Sequence, residues 1–204
     1  MAPKCKLTYF AIMGLGEPIR YLLSYGKIEF EDNRIEFEKW PPLKASMPFG
    51  QMPLLEIDGK KMIQSTAICR YLGKKLGLAG ENEWESAQID MAVDTITDLR
   101  LKLSDYYWEP DEAIKQKKKE TVFNETLPFY LERLNVLVKE NGGYLAAGKL
   151  SWGDIFFAAL CDYMNCAAKF DITKDYPNLA SLKKKISELP AIKDWISRRP
   201  VTEL

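Results

Sequence analysis

The sequence predicts an α/β unit followed by an all-helical domain, and three observations support this fold class. Up to about residue 75, the segments follow the order strand, helix, strand, strand, strand, helix. The composition changes between Gly77 and Gly80. From Trp84 onward the apolar residues keep a helical spacing, and no convincing strand pattern remains. We therefore predict two domains, residues 1–79 and residues 80–204.

The first elements are a strand, a helix and a second strand. Residues 4–10 form a short β-type run. Residues 17–25 have helical spacing and carry Pro18 where a first helical turn tolerates it. Residues 28–37 alternate as a second strand, and the proline-containing residues 40–42 are predicted to be irregular.

The next stretch, residues 48–70, predicts a turn, two strands joined by a tight hairpin, and a helix. Asp58 and Gly59 have the residue types of a two-residue hairpin turn. Pro53 cannot donate to a β-ladder, so its place just before a strand suits a fixed turn. The helix opens at Ser65, where unpaired backbone N–H groups favour an anion.

Two readings of this stretch are open from these residues alone. If the Met52-Pro53 bond is cis, the backbone of Met52 faces outward and could pair with an extended peptide. With an anion site at Ser65, the stretch would then suit a peptide-like ligand that carries a carboxylate. The alternative is an ordinary hairpin followed by a serine at a helix cap, with no ligand.

Several helices are predicted in the second half. Residues 126–138 form one helix, and residues 179–189 and 190–198 form two shorter amphipathic ones near the end. A longer helix precedes them, with an apolar stripe made of Ile89, Val93, Ile96, Leu99 and Leu103.

One helix is predicted to be the centre of this domain. Ser151 and Asp154 have the spacing of a capping box, in which each residue bonds the other's backbone at the start of a helix. The following residues 155–168 are apolar nearly all round. A helix with no polar face is buried on every side, so we place it at the domain's core.

Composition excludes several kinds of function. Lys+Arg and Asp+Glu each number 29, so the zero net charge gives no reason to expect a nucleic acid or an anionic membrane as partner. There is no histidine. Serine-histidine and cysteine-histidine catalysis, histidine zinc sites and imidazole bases are therefore excluded.

The four cysteines indicate a reducing environment. Cys5, Cys69, Cys161 and Cys166 form no C-x-x-C pair and lie among apolar residues. They are typical of reduced core residues in an intracellular protein. The first ten residues lack the apolar run of a signal peptide, and no run is long enough to cross a bilayer. We expect a cytoplasmic protein without membrane association.

A set of short motifs, in order along the whole chain, resembles one protein family. They are Leu7-Thr8-Tyr9-Phe10, Trp40, the turn at residues 48–53, Gln64-Ser65, Ser151 with Asp154, and Arg198-Arg199-Pro200. The chain is similar to cytosolic glutathione S-transferases, and most similar to the sigma class. That class contains glutathione-dependent prostaglandin D synthase, insect detoxifying transferases and cephalopod lens crystallins. The resemblance implies a thioredoxin-like N-terminal domain and an all-α C-terminal domain.

The resemblance also implies roles around the cysteinyl part of glutathione, which would be the co-substrate. Tyr9 would be the catalytic residue, donating its O–H to the glutathione sulfur. Gln51 and Met52 would flank the cysteinyl part, Met52 through its main chain, and Pro53 would be the cis-proline of the family. Without the resemblance, Tyr9 would read as a strand tyrosine packed on a helix.

Four further residues are implied to hold the two ends of glutathione. Trp40 and Lys44 would bind the glycyl carboxylate through indole N–H and ammonium donors. Gln64 and Ser65 would bind the γ-glutamyl end. On residue type alone, Trp40 and Lys44 would be a surface aromatic beside a solvated lysine.

Three aspartates follow one another at i,i+4 spacing on the long helix. Asp90, Asp94 and Asp98 repel one another by roughly 0.2 to 0.5 kcal/mol per pair. For Asp90 we expect Arg100, Lys102 and solvent to offset this repulsion. The resemblance implies that Asp98 reaches the amino group of glutathione bound to a neighbouring subunit, and hence a homodimer.

No metal is predicted at these aspartates. In some sigma-class enzymes a divalent cation lies among carboxylates in this region. Here Thr97 interrupts the pattern between Asp94 and Asp98.

The electrophile would bind on an apolar wall, for which the candidates are Phe10, Leu15, Tyr106, Tyr107 and Tyr163. The prostaglandin synthase has an arginine in place of Leu15 and a tryptophan in the region of Asp105. Leu15 would remove a fixed cation near the sulfur and enlarge the apolar wall. We therefore expect glutathione transfer to lipid-peroxidation products, such as unsaturated aldehydes and hydroperoxides.

Two other functions are compatible with the resemblance. One is glutathione-dependent prostaglandin isomerisation. The other is a non-enzymatic role, as a crystallin-like structural protein or a dimeric carrier of apolar ligands. Tyr9, Gln64 and Ser65 are all present, which favours an enzyme over the second alternative.

Overall fold

The computed structural model describes residues 5–202. Its N-terminal part is a mixed sheet whose strands lie in the order β2, β1, β3, β4. These strands are β1 Cys5–Phe10, β2 Glu31–Ile35, β3 Leu54–Ile57 and β4 Lys60–Ile63. β1 runs parallel to β2 and antiparallel to β3, and β3 is antiparallel to β4. Lys4, which was predicted to begin the first strand, lies outside the described residues.

The hairpin and the turn before it follow the sequence prediction. Asp58 and Gly59 both have positive φ, 50° and 79°, as a two-residue hairpin turn requires. The bond between Met52 and Pro53 is cis, as predicted from the resemblance.

The second strand is shorter than predicted because its first residues complete the preceding helix. The helix α1 spans Glu17–Tyr25, with the predicted bounds. After it, the N–H of Lys27 donates to the carbonyl of Ser24, and the N–H of Ile28 donates to that of Leu23. These bonds satisfy the last carbonyls of α1, so the strand begins only at Glu31.

The prediction of an irregular segment at residues 40–42 is wrong. A 3-10 turn at Phe37–Lys39 leads into a short helix, α2 Trp40–Lys44. Its two prolines lie in the first helical turn, where the missing N–H groups would have no intrahelical partner anyway.

The remaining helices lie along the chain as follows. α3 spans Ser65–Lys75 and completes the first unit. The second half contains α4 Glu83–Tyr107, α5 Glu112–Thr121, α6 Leu127–Glu140, α7 Trp152–Ala168, α8 Pro177–Ser187 and α9 Pro190–Arg198. A π-helical turn, Val122–Thr126, joins α5 to α6.

The helix α7 lies at the centre, as predicted. It packs against α4 and α8 on the C-terminal side and against α1 and α3 on the N-terminal side. Its predicted capping box is present, and Asp154 is fully buried. The carboxylate accepts bonds from the N–H of Ser151 at 2.7 Å and of Leu145 at 2.7 Å. One helix thus joins the two halves into a continuous core.

A buried ionic cluster ties α1 to the end of the chain. Glu17 is fully buried and accepts bonds from Arg20, from the indole of Trp195 and from Arg199. Arg199 also pairs with Asp162 at 2.7 Å. These contacts fix α9 and α7 against the helix that follows the first strand.

Three of the four cysteines lie in the core. Cys5, Cys69 and Cys161 are buried and form no disulfide. Within residues 5–202, no helix combines the length and the apolar character that crossing a membrane requires.

Candidate active site

The best-defined polar group near the end of β1 is the hydroxyl of Tyr9. The residue is 6% exposed. The backbone N–H of Leu15 donates to its Oη at 3.1 Å. A phenol both accepts and donates, so the hydroxyl still has its own proton for a second partner.

Two glycines allow the loop after β1 to close over this ring. A Cβ atom at Gly16 would lie 2.6 Å from Cδ1 of Tyr9, and one at Gly14 would lie 2.8 Å from its Oη. Gly14 also has a φ of 39°, a conformation that other residues rarely adopt. Glycine at these two positions lets the loop lie against the ring, so that the Leu15 N–H reaches the Tyr9 hydroxyl.

Arg20 supports the same loop from α1. Its Nη1 donates to the carbonyl of Ile12 at 2.9 Å and to that of Met13 at 3.4 Å. Its guanidinium carbon lies 5.9 Å from the centre of the Tyr9 ring. Arg20 is itself paired, with Glu17 at 3.0 Å and Asp32 at 2.9 Å.

Tyr9 remains a proton donor at neutral pH. Burial raises the pKa of its hydroxyl above the ordinary value near 10, and this is the largest effect. The Leu15 N–H and the nearby Arg20 and Arg100 guanidinium groups lower that pKa in part. The net shift is upward, so the phenol stays protonated and can donate to an anionic acceptor.

A cavity of about 290 Å³ opens beside this hydroxyl. Of the predicted electrophile-site residues, Phe10, Leu15 and Tyr163 line it, together with Tyr9. Its other lining residues are Ile12, Gly14, Phe37, Arg100, Ser104 and Trp108.

Tyr106 and Tyr107 are not part of this lining. The ring of Tyr106 packs edge-on against Phe123, with centroids 5.3 Å apart. The ring of Tyr107 packs edge-on against Trp108, with centroids 5.0 Å apart. Trp108 lines the cavity, whereas Tyr106 and Tyr107 do not.

One corner of the cavity is polar. The hydroxyls of Ser104 and Tyr163 lie 2.9 Å apart, and the indole N–H of Trp108 donates to Tyr163 at 3.3 Å. Arg100 enters the same corner, and burial lowers its pKa. The cavity is thus apolar on the side of Leu15 and polar on the side of α4.

A fixed cation reaches this wall from a position other than residue 15. Leu15 is apolar and lines the cavity as expected. Arg100, however, supplies a cation from α4, close enough to influence the Tyr9 hydroxyl. Arg100 was interpreted from sequence as a partner for Asp90, but Asp90 pairs with Arg70 at 2.9 Å instead.

The predicted residues for one end of glutathione lie along α2. Trp40 begins α2 and packs edge-on against Phe10, with centroids 5.5 Å apart. Phe10 in turn packs against Tyr9 at 5.6 Å. Lys44 ends α2 and is exposed. The aromatic contacts connect Trp40 to the catalytic candidate.

The predicted residues for the other end converge at the start of α3. The side-chain amide of Gln64 donates to that of Gln51 at 3.5 Å. Gln64 has a φ of 69° and ψ of 104°, outside the helical region, and precedes Ser65, the first residue of α3. Ser65 is buried, whereas Gln51 and Gln64 are exposed. Met52 joins Gln51 to the cis-proline.

Asp98 is not brought to this site within one chain. It is exposed on α4 and has no ion-pair partner among residues 5–202, and Asp94 is exposed one turn earlier. The described part of the chain contains no group of three or more side chains of the types that hold a metal ion.

Three residues of this cavity, two on α4 and one directly after it, were not identified from sequence. Arg100, Ser104 and Trp108 follow one another at i,i+4 spacing, which places them on one face of a helix. That spacing predicts that the three residues share a helix face, but it does not show that this face meets the cavity.

Comparison with known proteins gives matches over nearly the whole chain. A family profile described as "Glutathione S-transferase, N-terminal domain" matches residues 5–74, and one described as "Glutathione S-transferase, C-terminal domain" matches residues 97–199. A glutathione S-transferase of Anopheles gambiae is 48% identical, over 99% of this chain and 100% of the relative. Glutathione S-transferase S1 of Drosophila melanogaster is 49% identical, over 97% of this chain and 80% of the relative.

A solved structure is similar as well. The prostaglandin synthase D of Nilaparvata lugens superposes with a TM-score of 0.95 at 54% identity, covering 98% of this chain and all of that one.

Proposed function

This chain belongs to the glutathione S-transferase family and is a glutathione transferase, and we propose that its electrophiles are lipid-peroxidation products, namely unsaturated aldehydes and hydroperoxides. The observation that supports this proposal is the position of Tyr9, whose hydroxyl accepts a hydrogen bond from the Leu15 N–H. Tyr9 lines a cavity that is apolar on one side and polar on the other. Such a cavity suits a small molecule with a hydrocarbon part and one oxygen-containing head.

Tyr9 acts by stabilising the glutathione thiolate. A thiol with a pKa near 8.5 is only a few per cent ionised at neutral pH, and the thiolate is the nucleophile. A hydrogen bond from a neutral donor to an ion is worth roughly 1.5 to 3 kcal/mol. Because each pKa unit corresponds to about 1.4 kcal/mol, this bond can lower the thiol pKa by about one to two units. Bound glutathione is then roughly a quarter to three quarters ionised at pH 7, against a few per cent when free.

The residues around Tyr9 hold glutathione by complementary charge. The exposed Lys44 ammonium and the Trp40 indole N–H suit the glycyl carboxylate. The amides of Gln51 and Gln64 and the N-terminus of α3 at Ser65 suit the γ-glutamyl end. The main chain of Met52, before the cis Pro53, pairs with the cysteinyl part.

Prostaglandin isomerisation is the second candidate, because the similar structure of Nilaparvata lugens is that of a prostaglandin synthase D. The decisive experiment compares four electrophiles with the purified protein and glutathione: an aryl halide, an unsaturated aldehyde, a lipid hydroperoxide and a prostaglandin endoperoxide. We expect the aldehyde and the hydroperoxide to be consumed fastest. Far faster isomerisation of the endoperoxide would contradict the substrate proposal. Binding of apolar ligands without turnover of any electrophile would indicate a carrier or structural protein.

We propose that the enzyme is a homodimer that uses one face of α4. Trp84, Met91 and Leu101 are large apolar residues exposed on this helix, by 70%, 64% and 49%. At 3.6 residues per turn they share one face of about 100° with Asp94 and Asp98. An apolar face of this kind on a helix is best explained by a second protein surface, and a second copy would bring Asp98 to its partner's glutathione.

Asp98→Ala tests the shared site. The variant should raise the KM for glutathione more than the KM for the electrophile, since it removes a charged contact with only one substrate. Asp94→Ala is the matched control, one turn away on the same face, and should leave both values unchanged. A monomeric mass by sedimentation at micromolar concentration, with full activity, would refute the dimer and the role of Asp98 together.

We place the enzyme in the cytoplasm. Cys5, Cys69 and Cys161 are buried thiols without disulfides, which suits a reducing compartment. Fractionation of the source cells tests this placement.

A further inference from the structure

Arg100 is half-buried, and it differs from the other buried or half-buried arginines among residues 5–202 in having no carboxylate partner. Its Nε atom is buried and has no hydrogen-bond acceptor. Within residues 5–202 it forms no ion pair, whereas Arg20, Arg34 and Arg199 each pair with at least one aspartate or glutamate. Arg100 lines the same cavity as Tyr9, and its charge is close enough to lower the pKa of the Tyr9 hydroxyl in part.

The neighbours of Arg100 cannot compensate its charge. The groups that interact with it electrostatically are Tyr9 and Tyr163, and neither of them is a carboxylate. Ser104 and Trp108 already engage the Tyr163 hydroxyl. A cation that is partly withdrawn from water without a negative partner is costly, and such groups are found where a ligand supplies the missing charge.

We propose that Arg100 binds the oxygen on which negative charge builds when glutathione adds to an α,β-unsaturated carbonyl compound. This assignment rests on the proposed function. The thiolate forms a C–S bond at the β-carbon, and the electron pair of the C=C bond shifts to make the carbonyl oxygen an enolate. Arg100 N–H groups donate to that oxygen and keep their protons, because a guanidinium is not deprotonated at neutral pH. The α-carbon then takes a proton from water, which replaces the proton lost when the thiol ionised.

The position of Arg100 fits this role better than a role at the sulfur alone. Tyr9 lies at the end of β1 and Arg100 enters from α4, and both line the cavity. An electrophile between them would meet the sulfur at one end and a donor for its oxygen at the other. This is the arrangement that stabilises charge where it develops in the transition state.

The test compares two electrophiles in two variants. A 2-alkenal develops negative charge on oxygen during attack, whereas a benzyl halide loses halide and does not. In Arg100→Met, we expect kcat/KM for the alkenal to fall at least tenfold more than kcat/KM for the benzyl halide. Arg100→Lys, which keeps the charge, should recover part of the alkenal rate. Arg198→Met, which removes an exposed arginine on α9, is the matched control and should change neither rate.

Two further measurements separate this proposal from others. Thermal unfolding of each variant shows whether the protein is folded, and ultraviolet titration of bound glutathione gives its thiol pKa. If Arg100→Met lowered kcat/KM equally for both electrophiles and raised the thiol pKa, the assignment would be overturned, because Arg100 would then act on the sulfur. An unchanged alkenal rate in folded Arg100→Met would also overturn it. Wild-type protein that conjugates neither electrophile would instead refute the proposed function, and this assignment with it.

Discussion

The α1 side and the α4 side of Tyr9 each contribute an arginine, and the two are held in opposite ways. Arg20 is fully buried and pairs with Glu17 and Asp32, while its Nη1 holds the loop that closes over the tyrosine. Arg100 has no carboxylate partner among residues 5–202 and lines the cavity. Burial alone therefore does not identify a charged residue that acts on a ligand. A paired buried charge belongs to the scaffold, and an unpaired one is available to a ligand.

The largest effect should come from breaking the paired side. Arg20→Met would remove the buried cation that Glu17 and Asp32 share and leave Glu17 with Arg199 and Asp32 with Arg34, which costs up to roughly 3 to 5 kcal/mol of unfolding free energy. Denaturant unfolding of wild type and variant measures this loss, with the exposed Arg198→Met as control. If Arg20→Met unfolded at the wild-type denaturant midpoint, the structural role of Arg20 would be refuted.

Arg100→Met provides the other half of the comparison. Its unfolding free energy should change little or increase, since it removes a desolvated cation that has no partner. A stability loss as large as that of Arg20→Met would show that Arg100 is a scaffold charge as well.

Tyr9→Phe should have the next largest effect, and on rate rather than on stability. The variant keeps the ring between the loop and Arg20 but removes the hydroxyl that donates to sulfur. We expect conjugation to slow at least tenfold at pH 7, equivalent to about 1.4 kcal/mol, with most glutathione affinity retained. Steady-state kinetics with an aryl halide measures this change. An unchanged kcat would mean that Tyr9 only packs.

The scaffold was more predictable from the sequence than the α4 side of the site. The Asp58-Gly59 turn, the capping box at Ser151 and the bounds of α1 follow from local rules, because those residues act on their own backbone. Glutathione-site residues came from the resemblance to a family. Local sequence alone predicted only an anion site at Ser65 and an outward-facing Met52 backbone.

The sequence does not show that the Arg100 side chain points toward the cavity. Arg100 and Lys102 both lie between leucines on α4, and nothing local marks which one turns toward the cavity. That choice depends on where β1 and α7 place Tyr9 and Tyr163, which is tertiary information. The same limit explains the wrong partner for Asp90, since Arg70 reaches it from α3, a different part of the chain.

The smallest effect should come from adding a second cation at Leu15. Leu15 lines the cavity, and its backbone already bonds the Tyr9 hydroxyl, so the side chain can change without removing that bond. Leu15→Arg should lower the thiol pKa of bound glutathione, because a nearby positive charge favours the thiolate. The shift should be small, less than about one unit, because repulsion from Arg100 should keep the new arginine away from the sulfur.

The double variant Leu15→Arg/Arg100→Met tests whether an arginine at position 15 and Arg100 act on the same thiolate. If the two cations act on the same thiolate, the shift caused by Leu15→Arg should be larger in the absence of Arg100, because the new arginine is then not repelled and can lie closer to the sulfur. Leu15→Met is the neutral control and should leave the thiol pKa unchanged. A shift of the same size with and without Arg100 would show that the two sites do not interact. In that case Arg100 would bear only on the electrophile's oxygen, and the α4 side of the cavity would act independently of the sulfur.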